Sequence, residues 1–455
     1  MSVHCIRTLS LRGAIPAAII SCLFAAIPSH AQTIDGEILH SFFAGSLLQR
    51  GDSEEEILRR FEVQMLSSGS QHFFHVMDDS RVGCPWPDSY GRTGPASPSD
   101  SVQPHLVYPY DGNTSLIGLP PLIVSLPEAV NANASWNQAG WQLTAIEQQN
   151  TDGVPTWSVE AREPRGRQQS LTVDAATGAT LRAEADVFMG QGDQFRLTLV
   201  RTSVKPLNAA VATRMTELQQ ELLTLQAVLK RRPDAFQHEL SARQVADVIA
   251  AIDRLTALSK DTPLDSLVKQ LTTDAEQQQK RLVSIASRAG ELMNSAAPPF
   301  ALTLVSGGTL ESASLKGKTV ILHFWDYRDT PLSEPYGQTG YLEFLFSQKK
   351  KKMNVEVIGI STNPDFQTPE NLSRGRRSAR KLSEFMNLSY PIGHDDGSLL
   401  KSFGDPRDTR GQLPLWIVLR PDGKVAHYHA GFYEVDTAQG LKELETVLAE
   451  VGGAK

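Results

Sequence analysis

The chain has 455 residues, of which 40% are hydrophobic and 21% charged. That length exceeds one ordinary core and that composition excludes a disordered protein, so two or three folded domains are expected. A formal net charge of −7 excludes a global electrostatic pull toward nucleic acid or anionic membrane.

Residues 1–31 read as a secretory signal. Arg7 and Arg12 precede an apolar run, and Ser29-His30-Ala31 supplies the small-residue cleavage site. Cleavage after Ala31 predicts an exported protein of the periplasm or cell envelope. Ile19-Ile20-Ser21-Cys22 offers a second reading, a lipid on Cys22, but the apolar run continues past that residue. No later segment has the roughly 20 apolar residues that span a bilayer. The three cysteines are Cys5, Cys22 and Cys84. Two fall in the leader, so the remaining thiol has no intrachain partner. Cys84 lies in the Pro-rich "RVGCPWPDS" and is expected to be inert or to pair between chains rather than to catalyse.

Residues 32–207 are expected to form an α+β domain with an antiparallel sheet. "GDSEEEILRRFEVQML" predicts a short helix, with Ser53 and Glu56 at capping-box spacing and Ile57, Phe61 and Met65 on one face. Residues 80–127, rich in Pro, Gly, Ser and Asp, predict long connections with a short strand or two. Strands are then predicted at 141–148, 156–162, 169–174, 179–186 and 194–201, because apolar and polar residues alternate, as at Trp157, Val159 and Ala161. "VDAATGATL" predicts a hairpin turn with Gly178 at positive φ. This D-x-x-T-G turn weakly resembles PepSY-type modules and lipoprotein-carrier domains, which implies an apolar ligand in a sheet. A sheet packed on its own helix is the competing reading.

Residues 208–297 predict a helical segment of three helices. Met215, Leu218, Leu222, Leu225 and Leu229 mark the first, Val245, Val248, Ile249, Ile252 and Leu255 the second, and Thr262-Pro263 opens the third toward Met293. Such helices are expected either to dimerise or to pack within the chain. "NSAAPPF" reads as a linker.

From residue 298 to 455 the pattern changes. "TVILHFW" and "NVEVIGIST" are apolar strands, "SARKLSEFMN" a helix, "LPLWIVLRPDGKVAHYHAGF" a hairpin and "DTAQGLKELETVLAEV" a final helix. Apolar strands alternating with helices predict an α/β domain with helices on both faces of a central sheet. "LKGKTVILHFW", "VIGIS", Tyr390-Pro391, Phe403-Gly404, "LPLWIVLRPDGKV" and Gly431 occur in an order that resembles the exported thioredoxin-fold family of TlpA-like and AhpC/TSA peroxiredoxin-like redoxins. The resemblance implies a thioredoxin-like fold, a cis-proline at Pro414 and thiol–disulfide or peroxide chemistry. It also implies an active-site turn after Trp325, where Asp329-Thr330-Pro331-Leu332 stands in place of C-x-x-C. In the peroxiredoxin register Ser333 takes the cysteine position. Pro335, Gly337 and Gly340 follow where the family continues a helix.

Thiol exchange needs a thiolate and a second sulfur, so Asp329, Leu332 and Ser333 predict a turn that has kept its shape without its reaction. A binding surface is expected around Trp325, Asp329, Thr330, Pro331, Pro414 and Trp416, for an envelope protein or peptide, with Trp325 and Trp416 equally compatible with the core. The alternatives are an oxidoreductase or peroxidase working through Cys84 or a partner's cysteines, and an apolar-ligand carrier. His427 and His429, two apart on a strand, share a face. They begin a metal site only if a third ligand such as His394 converges, and exposed hairpin histidines are the default, so no metal or cofactor is expected. Lys349 to Lys352, and Arg374, Arg376, Arg377 and Arg380, read as a solvated helix end and loop, and no nucleic acid is expected.

Overall fold

The computed structural model describes residues 38–50, 55–78, 86–94, 102–110, 113–164, 166–190, 192–229, 239–327, 338–409, 411–433, 435 and 440–453. The leader and Cys84 lie outside them.

Twelve strands open the chain: β1 (Leu39–Arg50), β2 (Glu55–Ser68), β3 (Gln71–Met77), β4 (Tyr90–Thr93), β5 (His105–Tyr110), β6 (Asn113–Gly118), β7 (Ser135–Gln138), β8 (Trp141–Thr151), β9 (Val154–Arg162), β10 (Gln168–Asp174), β11 (Thr180–Met189) and β12 (Asp193–Pro206). Ten make one antiparallel sheet, in the order β4-β3-β2-β1-β12-β11-β10-β9-β8-β7, and β5 pairs with β6 alone. The five strands expected from alternation are β8 to β12.

The helix expected over 51–66 is, from residue 55 on, β2 instead. A spacing of four residues, as in Ile57, Phe61 and Met65, is even and therefore suits a strand as well as a helix. Phe61, Val63 and Met65 point into the core, while Ile57 is 45% exposed. Phe61 faces Gly45 across the β1–β2 ladder. A Cβ on Gly45 would sit 2.2 Å from the Phe61 ring, so the glycine gives the ring its place on the backbone. The expected turn is present: Gly178 has φ +71°, and the Asp174 carboxylate accepts the Ala176 and Thr177 amides at 2.8 and 3.2 Å. That turn also holds the segment that plugs the sheet. The Val124 amide donates to Gly178 O at 2.7 Å, and Leu119, Leu122, Ile123 and Val124 join the core beneath β1–β3 and β8–β12.

Helices α1 (Ala209–Leu229), α2 (Ala242–Ser259) and α3 (Asp265–Leu292) pack together on Leu66, Phe73, Trp86 and Tyr90. Buried polar bonds seal that contact. Tyr90 donates to Leu222 O at 2.9 Å and Trp86 to Asp274 at 2.8 Å. Gln64 bridges His40 and His75, each at 2.9 Å, and donates to Pro263 O at 3.0 Å.

The C-terminal unit contains β13 (Ala301–Leu304), β14 (Thr309–Glu311), β15 (Thr319–Trp325), α4 (Thr339–Met353), β16 (Val355–Ser361), α5 (Leu372–Phe385), β17 (Ile392–His394), α6 (Ser398–Phe403), β18 (Leu415–Leu419), β19 (Val425–Ala430) and α7 (Lys442–Gly453). Its sheet runs β14-β13-β17-β16-β15-β18-β19, with β15 parallel to β16 and antiparallel to β18. Leu322, Phe324, Ile358 and Ile360 pack on Phe403 and Leu399, and Ile321, Val357, Trp416 and Val418 pack on Leu342, Phe346, Leu444 and Leu448. Burial on both faces explains the unbroken apolar runs of β15 and β18. This is a thioredoxin-like domain preceded by helices and an antiparallel-sheet domain.

One helix belongs to both halves. Leu267, Val268, Leu271 and Ala275 of α3 lie in the N-terminal helical core, whereas Ile285, Ala289 and Leu292 pack against the C-terminal core. Arg288 donates to Ser402 O at 2.6 Å and Phe403 O at 3.1 Å. Residues 294–297, expected as a linker, bond to the β18–β19 hairpin through Asn294 to Val425 O, Ala297 to Gly423 O and Val425 to Ser295 O, at 2.9 to 3.0 Å. Among the described residues no helix is long and apolar enough to cross a membrane.

Candidate functional site

A cleft of about 300 Å³ opens at the end of β15, lined by Trp325, Asp326, Arg407, Gln412, Leu413, Pro414 and Phe432. The sheet register builds it. Phe324 pairs with Leu415, which brings Pro414 beside the strand end that carries Trp325. The Leu413–Pro414 peptide is cis. Gly431, at φ +99°, turns the chain out of β19; its amide donates to Pro414 O at 2.8 Å. That turn delivers Phe432, 38% exposed, to the cleft.

The rim is charged. Arg407 is held by Asp405, at 2.7 to 3.0 Å. That bond, and then the charges of Asp405, Asp326 and Asp408, push its pKa above the usual guanidinium value against partial burial. The cleft therefore combines an apolar floor of Trp325, Leu413, Pro414 and Phe432 with a rim carrying both signs of charge.

Asp329, Thr330, Pro331, Leu332 and Ser333 lie outside the described residues, as do Pro335 and Gly337. The chain on either side of them is pinned. Asn363 and Ser378 donate to Tyr327 O at 3.1 and 3.4 Å. Gln338, in the left-handed region at φ +60°, caps α4 and is 2% exposed. Its amide donates to Tyr433 O at 2.8 Å and accepts the Tyr433 amide at 2.9 Å. Gly340 follows inside the first turn of α4.

The sequence expectation is corrected at two residues. Trp416 does not reach a binding surface: it is 0% exposed, because β18 is covered on both faces. Its ring stacks on His323 at 3.8 Å, and its indole N–H donates to Gly431 O at 3.1 Å. It positions the turn that carries Phe432. His394 does not join His427 and His429. It sits on β17, four strands from β19 in the sheet order, about 19 Å away at normal strand spacing, and stacks on Phe366 at 4.0 Å. Glu443 of α7 takes the third position instead, with one ligand atom from each of the three residues within 4.8 Å of the others. Of the basic runs, Lys349 pairs with Glu445 at 2.5 Å and Arg374 with Asp365.

Phe432, Asp326 and Arg407 are site residues that sequence reasoning did not single out. Gly431 before Phe432 was the available signal, since a positive-φ glycine ending a strand redirects the next side chain.

Residues 293–428 match the model of the AhpC/TSA family. The chain is 26% identical over 159 residues to thiol-disulfide oxidoreductase ResA of Halalkalibacterium halodurans, covering 35% of this chain and 77% of that one. It is 26% identical over 153 residues to ResA of Bacillus anthracis, covering 32% and 76%. Similar solved structures include a secreted Mycobacterium tuberculosis disulfide oxidoreductase homologous to E. coli DsbE, with a TM-score of 0.25 and 20% identity over 33% of this chain and 95% of that one. Another is a thioredoxin-family thiol:disulfide interchange protein of Chlorobium tepidum TLS, with a TM-score of 0.28 and 16% identity over 35% and 96%.

Proposed function

We propose that this chain, whose C-terminal domain is a redoxin of the thioredoxin fold, is an exported binding module rather than a thiol catalyst. One observation carries the reading: the cysteines are Cys5, Cys22 and Cys84, so residues 85–455 contain no sulfur nucleophile. Disulfide exchange passes through a mixed disulfide and needs two thiols. Asp329 holds the C-x-x-C position as a carboxylate, and Ser333 the peroxiredoxin position as a hydroxyl. The cleft supports retained recognition. An extended peptide crossing Pro414 meets an apolar floor at Leu413 and Phe432 and charges at Asp326 and Arg407. The charged start and apolar core of the leader support export, with an envelope protein or peptide as partner.

The test uses the full chain. Insulin reduction and peroxide turnover are expected to stay at buffer level, in the wild type and in Cys84→Ser alike. Turnover that disappears in Cys84→Ser would hand the function to the oxidoreductase reading that the ResA similarity favours. Pull-downs from an envelope fraction with Asp329→Ala and Phe432→Ala locate the surface: a partner captured by wild type and lost from both variants supports the cleft.

A carrier reading rests on a separate observation. A cavity of about 880 Å³ lies where β1, β2, β3 and β12 meet the start of α3, with Ile57, Phe61, Met77 and Val200 among its lining. Mass spectrometry of organic extracts decides it, since a carrier co-purifies with an apolar molecule and the binding module does not.

A further inference from the structure

We infer that His427, His429 and Glu443 form a binding site for one divalent transition-metal ion of the zinc class, on the outer strand of the C-terminal sheet. Two imidazoles and a carboxylate are a donor set that suits zinc, with a fourth position left for water.

The fold assembles this set from two elements. Residues 427 and 429 stand two apart on β19, so their rings project from one face, 6.2 Å apart and within 11° of parallel. Glu443 arrives from the first turn of α7. One nitrogen from each ring and one carboxylate oxygen already lie within 4.8 Å of one another. Tetrahedral zinc with ligands at about 2.0–2.1 Å places them about 3.3 Å apart, so closure takes side-chain shifts of order 1 Å.

Tyr433 supports the cluster from behind. Its ring stacks on His429 at 3.9 Å, and its hydroxyl lies 2.8 Å from His427 Nε2. Tyr433 is itself bolted to Gln338 through both backbone groups. A fixed outer partner that orients a ligating imidazole is a usual part of metal sites.

Two observations separate this cluster from a pair of solvated histidines. His429 Nε2 is buried without a hydrogen-bond partner among the described residues. Glu443 approaches His429 Nδ1 at 3.9 Å, too far for a hydrogen bond, so carboxylate and imidazole are neighbours without being bonded. The protonation state agrees. Burial holds both imidazoles below their ordinary pKa, His429 at about 4 against a backbone bond at Phe432. His427 is lowered by burial and then by His429, with Glu443 and Glu450 opposing. Neutral imidazole is the form that ligates metal.

The experiment takes the full chain, stripped with a chelator and desalted, and titrates it with zinc chloride by calorimetry while elemental mass spectrometry counts bound metal. One zinc per chain is expected. Glu443→Gln and His429→Ala should each weaken binding about tenfold or more, and His394→Ala should leave it unchanged. The Glu443 side chain is 57% exposed, so its variant keeps the test valid if the histidine variant fails to fold. Absence of saturable binding, or binding unchanged in Glu443→Gln, would overturn the site.

Discussion

In the N-terminal sheet, β9 buries Trp157, Val159 and Ala161 and leaves Glu160 and Arg162 in water; in the C-terminal sheet, every residue of β15 is buried. The first sheet closes its core on one side with its own segment 119–124 and keeps its other side for helices and a cavity. The second has helices over both faces, so a ligand finds it only at strand ends and loops. Its cleft lies at the end of β15 and its histidine cluster on the outermost strand. Chemistry in this molecule is confined by which surfaces the cores leave uncovered.

Four measurements test whether the two sheets behave as separate bodies. The largest effect is expected from removing one large ring from each core. Phe324→Ala and Phe195→Ala, both 0% exposed, should each cost about 3–5 kcal/mol. In differential scanning calorimetry each variant should lower a different transition. A single transition lowered by both would mean that the two sheets unfold as one body.

Acid should separate them next. Burial pushes His75 from its ordinary value to about 3, so the unfolded chain binds the proton first. This stability is complete above pH 6.5 and is lost as pH falls toward about 3, worth roughly 5 kcal/mol in full. The N-terminal transition should fall through that window, and His75→Asn should flatten the slope.

Arg288→Ala removes the two carbonyl bonds that tie α3 to α6 and should cost about 2 kcal/mol. If α3 couples the halves, the calorimetric transitions should also move apart. The smallest change is local. Ser241 and Gln244 form a capping box on α2, and Ser241→Ala should cost about 1 kcal/mol. Denaturant titration should show it without any change in the C-terminal transition.

The reading of the sequence succeeded where one period stands alone. β8 to β12 alternate cleanly between turn residues, and β15, β16 and β18 are short apolar runs. It failed at β2, where Ile57, Phe61 and Met65 fit two periods and only pairing with β1 decides. At the site, Trp325 and Pro414 were legible through the resemblance. Phe432 was not, because its direction is set by the Gly431 turn and by Trp416 beneath it. Trp416 was left open between surface and core, because strand alternation does not say whether a second face is covered; it is core. Glu443 was missed in favour of His394 because the docking of α7 and the order of seven strands are tertiary facts.

The 28 residues of α3 run about 42 Å at 1.5 Å each and lend side chains to two cores. Severing the polypeptide at the Pro298-Pro299 step would leave Ile285, Ala289 and Leu292 on the wrong fragment and bare the groove they fill. The C-terminal portion is therefore not an interchangeable cassette hung on a loose tether. It has been spliced into its neighbour, and a recombinant fragment that starts near residue 280 should stay soluble where one starting at 298 aggregates.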